Sequence, residues 1–220
     1  MIQIHVNEKI YSKDPESTEL GKKIVQESIV LLDELGLEEF TFKKLSIRIN
    51  STEASIYRYF ENKHRLLTYL ISWYWNWLEY QIKMRTYSVS CDKERLRICI
   101  SLFTKPINMD MDFEHINEEA LHRIVLMESA KSYFRKGVDA DNKEGLFSSY
   151  KRVTNLVSSF IRSLNPDYSY PEALISTMIE GAHQQLFFAG HLPSLTNVQE
   201  KSNSTEEFFT ELIFKTIEIE

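Results

Sequence analysis

Residues 41–63 read TFKKLSIRINSTEASIYRYFENK, and the polar residues of that run fall where helices begin. Thr41 can cap a short helix from Phe42 to Ile49, with Phe42, Leu45 and Ile49 along one face. Asn50 and Ser51 break it. Thr52 can cap a further helix from Glu53 to about Phe60, and Asn62 one that meets no breaker before about Arg85. Short helices joined by a turn of roughly three residues form the pattern of a helix-turn-helix.

The helix after Thr52 carries the chemistry. At helical spacing Ile56 and Phe60 share a side, while Ala54 and Arg58 point roughly opposite, flanked by Ser55 and Tyr57. A small residue lets the backbone approach a groove, a guanidinium forks onto guanine or phosphate, and a hydroxyl and a phenol donate to phosphate oxygens. Thr41, Thr52 and Lys63 stand at helix starts, where free N–H groups and the positive dipole end favour a phosphate. Lys43 and Glu53 complete the expected DNA-binding set.

Outward toward the N-terminus, Leu20, Ile24, Leu31 and Leu35 recur at helical spacing until Gly36, and Asp14-Pro15 is a cap followed by a first-turn proline. Ile2, Ile4 and Val6 alternate with polar residues, so 1–17 is expected to be an extended arm, ordered by docking. Beyond residue 86 five more helices are expected, at about 92–104, 117–135, 142–164, 171–190 and 205–219. Pro106, Gly137 and Leu192-Pro193 act as stops, Pro171 as a first-turn residue and Ser204-x-x-Glu207 as a capping box. The fold class is all-α, about nine helices: an arm (1–17), a three-helix DNA-binding domain (18–64) and an effector-binding and dimerisation domain (65–220).

Composition narrows the function. A chain of 220 residues with 43% hydrophobic and 26% charged residues can bury a core without disulfides or metals. Cys91 and Cys99 lie eight positions apart on one expected helix, too far to bridge, so reduced thiols are expected. Neither a membrane span nor a secretory signal is evident, and a cytoplasmic protein is expected. The net charge of −6 opposes indiscriminate polyanion binding. Yet residues 40–68 hold six basic groups (Lys43, Lys44, Arg48, Arg58, Lys63, Arg65) against Glu53 and Glu61, a basic patch on an acidic body.

The 41–63 run, followed by Leu66-Leu67, resembles the DNA-binding domain of the TetR family of bacterial regulators. Thr41, Leu45, Thr52, Ala54, Tyr57, Phe60 and Lys63 fall where that family's pattern wants their residue type. Asn50 replaces the usual turn glycine, which asparagine tolerates because it enters the left-handed region, and Ser46 and Ile49 replace usual alanines. The resemblance implies a repressor released from a palindromic DNA operator by a small-molecule effector, and a homodimer paired through its last two helices. No Gly-rich phosphate loop, nucleophile elbow or Cys-x-x-Cys pair is present, so no cofactor and no catalysis are expected.

For the rear domain, the helix after Asn62 is apolar nearly all round: Leu66, Leu70, Trp73, Trp77, Tyr80 and Met84 make one stripe, and Ile71, Trp75, Leu78 and Ile82 another. Trp73, Trp77, Phe103, His122, Leu126 and His183 are the candidate effector-pocket residues, although any one such aromatic is more often simply core. Gly181, Ala182, Ala189 and Gly190 allow close helix approach, and the candidate dimer interface is Met178, Ala182, Gln185, Leu186, Ala189, Phe209, Leu212, Ile213 and Ile217.

The rival reading is a metal-binding bundle, a sensor or di-iron oxidase. Glu119-x-x-His122 and Glu180-x-x-His183 have the spacing of di-iron helices, with His115 nearby in sequence. Glu61-x-x-His64, inside the DNA-binding run, has the same spacing and shows that it arises without that chemistry.

Overall fold

The computed structural model describes residues 4–105, 113, 115–199 and 202–218. Among them eleven α-helices and three short 3-10 turns occur, with no strand. The helices are α1 (Glu19–Glu39), α2 (Phe42–Arg48), α3 (Glu53–Tyr57), α4 (Lys63–Thr86), α5 (Asp92–Thr104), α6 (Glu118–Glu128), α7 (Ala130–Tyr133), α8 (Val138–Lys143), α9 (Ser148–Leu164), α10 (Pro171–His191) and α11 (Ser204–Thr216). The count exceeds nine for two reasons. The expected helix at 117–135 divides at Ser129 into α6 and α7, and a short helix, α8, forms mostly ahead of the expected helix at 142–164, which begins only at Ser148, after Gly145, whose φ of 79° is left-handed.

Contacts divide the chain into two compact units. The first comprises Met1–Trp77 and Ile107–Ser149, the second Leu78–Pro106 and Tyr150–Glu220. In the first, α1 buries Ile24, Val25, Ile29, Leu31 and Leu32 and packs along α6. Arg123 of α6 grips Asp33 of α1 with two hydrogen bonds, 2.9 and 2.6 Å. At Gly36 the backbone leaves the helix (φ 70°, ψ 167°), a conformation open in practice only to glycine. The freed N–H of Leu37 donates to the buried Glu128 carboxylate of α6 at 3.1 Å. Gly36 thus marks the end of the regular helix, as its sequence position suggested, although one more turn follows.

Helix α1 starts later than the Asp14-Pro15 pair implied. Asp14 caps only a 3-10 turn, Pro15–Ser17, and Thr18 is the cap of α1, accepting from the N–H of Gly21. Residues 4–17 are not plainly extended either. They hold a second 3-10 turn, Glu8–Ile10, and bury Ile4, Val6 and Ile10. Ile2 and Pro106 lie outside the described residues.

In the second unit, α5, α10 and α11 pack on one another. Asn165 at the end of α9 donates to the carbonyl of Ile217 at 3.2 Å, and Tyr150 of α9 donates to Glu180 of α10 at 2.9 Å. Burial alone would raise the pKa of Glu79, but hydrogen bonds from Lys83 and Arg152 hold its carboxyl below the usual range. The Ser204-x-x-Glu207 box does not form: Asn203 is the cap residue, and the Ser204 hydroxyl instead accepts from the N–H of Gln199. Cys91 is exposed and Cys99 buried, both free thiols, and burial pushes the Cys99 thiol up to about 12.

His183 of α10 is buried, and desolvation pushes its pKa down from 6.5 to about 4. An unfolded chain takes up this proton near pH 6.5 while the folded one resists until about pH 4. Stability is therefore intact above the upper value and falls as the pH drops through this window, by up to about 3 kcal/mol from this one group. Urea unfolding midpoints measured between these pH values are expected to decline for the parent and to be flatter for His183→Leu.

Candidate nucleic-acid interface

Helix α2 is held by the hydroxyl of Thr41, which accepts from the N–H of Lys44 at 3.2 Å. Its inner face buries Phe42, Leu45 and Ser46, followed by Ile49 at its end. Asn50 then adopts a φ of 53°, the left-handed turn its side chain tolerates, and the N–H of Ser51 returns to the carbonyl of Ser46 at 2.9 Å. The hydroxyl of Thr52 starts α3 by accepting from the N–H of Ser55 at 3.2 Å and shares a hydrogen bond of 2.9 Å with the Ser55 hydroxyl. The α3 helix ends at Tyr57, sooner than the pattern suggested. Arg58 caps it, and Phe60 occupies the turn behind.

The division of faces follows the reading from spacing. Ile56 and Phe60 are 0% exposed, whereas Tyr57 is 51% exposed. Thr41, Lys43, Thr52, Glu53, Ala54 and Arg58 are also exposed and Ser55 is half-buried. Tyr57 is steadied by an edge-on contact with Phe42 of α2, their ring centroids 5.0 Å apart. Ile47 of α2, 72% exposed, is an apolar side chain on the same motif that the pattern of capped helices did not single out. Its only sequence signal is that it falls off the Phe42, Leu45, Ile49 stripe.

Most of the basic patch is occupied within the first unit. Arg48 pairs with Glu27 at 2.7 Å and Glu34 at 3.0 Å, both on α1. Lys44 pairs with Glu39, and Arg65 with Glu61, Asp141 and Glu144. Lys63, expected at a phosphate, lays its ammonium on the carbonyls of Leu37 at 2.8 Å, Glu38 at 3.2 Å and Phe40 at 3.4 Å, where α1 ends. Among the described residues, Lys43 and Arg58 are the members of the six whose side chains make no ion pair or hydrogen bond.

The six pocket candidates are divided between the units. Trp73, Trp77, His122 and Leu126 belong to the first, Phe103 and His183 to the second. Within the first, Trp73 meets Phe113 edge-on at 5.3 Å, and Nδ1 of His122 lies 3.0 Å from the Tyr74 hydroxyl, the two rings stacked. The indole N–H of Trp77 is buried without a hydrogen-bond partner.

The two Glu-x-x-His pairs belong to different units. Glu119 is exposed while His122 is buried on Tyr74, Glu180 takes the Tyr150 hydroxyl, and His115 pairs with Glu16 at 2.9 Å. Among the described residues no group of three or more His, Cys, Asp or Glu could hold a metal ion. No helix among them is long and apolar enough to cross a membrane.

Of the interface candidates, Met178, Ala182, Phe209, Ile213 and Ile217 are buried in the chain's own core. The small residue Gly181 serves the same core, since a methyl there would approach the Phe209 ring at 3.1 Å. Gln185, Leu186 and Ala189 are half-buried. Leu212 is 38% exposed, and beside it lies Phe208, which periodicity did not select, 48% exposed.

Replacing Asn50 by valine, which resists a positive φ, is expected to cost about 1–2 kcal/mol in chemical denaturation, whereas Asn50→Gly retains the parent's stability to within about 0.5 kcal/mol.

No protein-family model and no curated protein sequence matches the chain. Solved structures do resemble it. AibR in complex with isovaleryl coenzyme A and operator DNA superposes with a TM-score of 0.56 at 13% identity, over 87% of this chain and 95% of that one. A Saccharomonospora viridis protein described as a transcriptional regulator, in complex with choline, gives 0.61 at 14% identity over 89% and 96%. The superantigen PfiT gives 0.58 at 16% identity over 92% and 97%. At such identities the likeness is one of fold alone: the chain shares an all-helical fold with these three proteins.

Proposed function

We propose that the protein is a sequence-specific DNA-binding transcriptional regulator whose reading surface is the exposed face of α2 and α3. One observation carries this: Ala54, Tyr57 and Arg58 stand in solvent on a helix whose Ile56, with Phe60 behind it, is fully buried. A small residue, a phenol and an unpaired guanidinium are thereby displayed on a rigid support, as major-groove readout requires. Thr41, Thr52 and the unpaired Lys43 lie beside them, suited to phosphate contacts that set register. AibR's structure with operator DNA supports the assignment, because a protein of this fold engages DNA.

The finer reading is a homodimeric repressor that a small effector releases. The structures of AibR with an acyl-coenzyme A and of the S. viridis protein with choline support an effector site in this fold. The aromatic cluster about Trp73, Tyr74, Trp77 and His122 is our candidate for it. For the dimer, the accessible side of α11 offers a groove of about 340 Å3 lined by Phe208, Glu211, Leu212, Lys215 and Thr216. A two-fold pair of heads reads a palindrome.

Selection of duplexes from a randomised pool tests the reading. A palindromic consensus is expected, bound with an affinity that falls as salt rises. The double variant Tyr57→Ala, Arg58→Ala is expected to bind the selected duplex at least about 30-fold more weakly, at about 1–3 kcal/mol per lost contact. A double variant that grips the duplex as the parent does, or a pool that yields no enriched sequence, overturns it.

A further inference from the structure

Residues 4–17 make polar contacts that a mere cover would not need. At one end the Asn7 side-chain amide donates to two backbone carbonyls, those of Glu144 and Gly145, each at 3.1 Å, while its oxygen accepts from the N–H of Lys9. At the other end the contacts gather on Tyr59, the residue next after the Arg58 cap of α3. The N–H of Ser12 donates to the Tyr59 carbonyl at 2.8 Å, Lys13 places its ammonium 5.1 Å from the centre of the Tyr59 ring, and the Thr18 hydroxyl lies 2.7 Å from the Tyr59 hydroxyl.

Between and beyond these two anchors the segment makes further contacts. Ile4, Val6 and Ile10 are buried, and Tyr11 meets Tyr69 edge-on at 6.0 Å. Glu16 accepts from the Tyr69 hydroxyl at 3.3 Å and lies 2.9 Å from Nε2 of His115. Pro15 sits so close on α1 that a side chain at Gly21 would lie 2.2 Å from its carbonyl oxygen. All of these residues belong to the first unit.

We propose that residues 4–17 are a positioning strap that joins the exit of the reading helix, through Tyr59, to the turn at Glu144–Gly145. A hydrogen-bonded chain anchored at both ends transmits displacement. Movement of that turn pulls on Tyr59 and so reorients Ala54, Tyr57 and Arg58. The reading of α3 as the DNA-contacting helix underlies the functional meaning of the strap, but not its mechanics.

Asn7→Asp isolates the strap. The aspartate keeps the oxygen that accepts from Lys9 and removes both amide donors to the 144 and 145 carbonyls. Amide hydrogen exchange, measured on the full chain without DNA, is expected to quicken at least about threefold at residues 53–60 as well as at 4–12, with the rest of the first unit unchanged. Lys13→Gln, an exposed substitution at the other anchor, is expected to quicken 53–60 likewise. On the selected duplex both variants bind about 3- to 10-fold more weakly. Faster exchange confined to 4–12, or spread evenly over the whole unit, overturns the strap, since the segment is then a cover or a general stabiliser. Failure of the parent to bind any duplex refutes the DNA-binding reading and leaves the exchange result standing.

Discussion

A five-residue helix has no stability of its own, because nucleation costs more than so few hydrogen bonds return. Helix α3 exists because Ile56 and Phe60 are driven out of water behind it, and the hydroxyl of Thr52 satisfies an N–H at its front. The rest of the motif serves that pinning. Phe42 steadies Tyr57 from α2, and Lys63 spends its charge on the carbonyls at the end of α1, which fixes α4 against α1. A side chain expected at a phosphate thereby holds the frame on which the exposed face depends.

What the sequence revealed was local. Caps at Thr41, Thr52 and Asn62 are decided within three residues, so they could be read directly, and the split between Ile56 and Arg58 needs only the helical period. What it hid was set by distant partners. Arg48 looked available until Glu27 and Glu34 of α1 were brought beside it. Phe209, Ile213 and Ile217 made an apolar stripe, but periodicity cannot tell whether such a stripe faces its own subunit or a second copy. Asp14-Pro15 was a sound helix start that lost to Thr18, because residues 15–17 close only a 3-10 turn before the longer helix begins.

The fold by itself carries little about activity. It is shared with an operator-bound regulator and with a superantigen, at sequence identities that leave almost every side chain free to differ. The functional weight therefore rests on a few particular groups and on what they are not engaged in. Ala54, Tyr57, Lys43 and Arg58 stand exposed beside the side chains that build the motif.

That economy of charge has a consequence for how such a protein would find a target. Genomic DNA offers millions of wrong addresses, each attractive to any surplus of cations. Here the acidic body repels the polymer, and three of the six nearby positive groups, Lys44, Arg48 and Arg65, are already paired with carboxylates, while Lys63 is held on backbone carbonyls. Little is left to hold the chain at an arbitrary site. It would be expected to spend its time free in solution rather than sliding, and to depend on base-edge contacts for residence once it arrives.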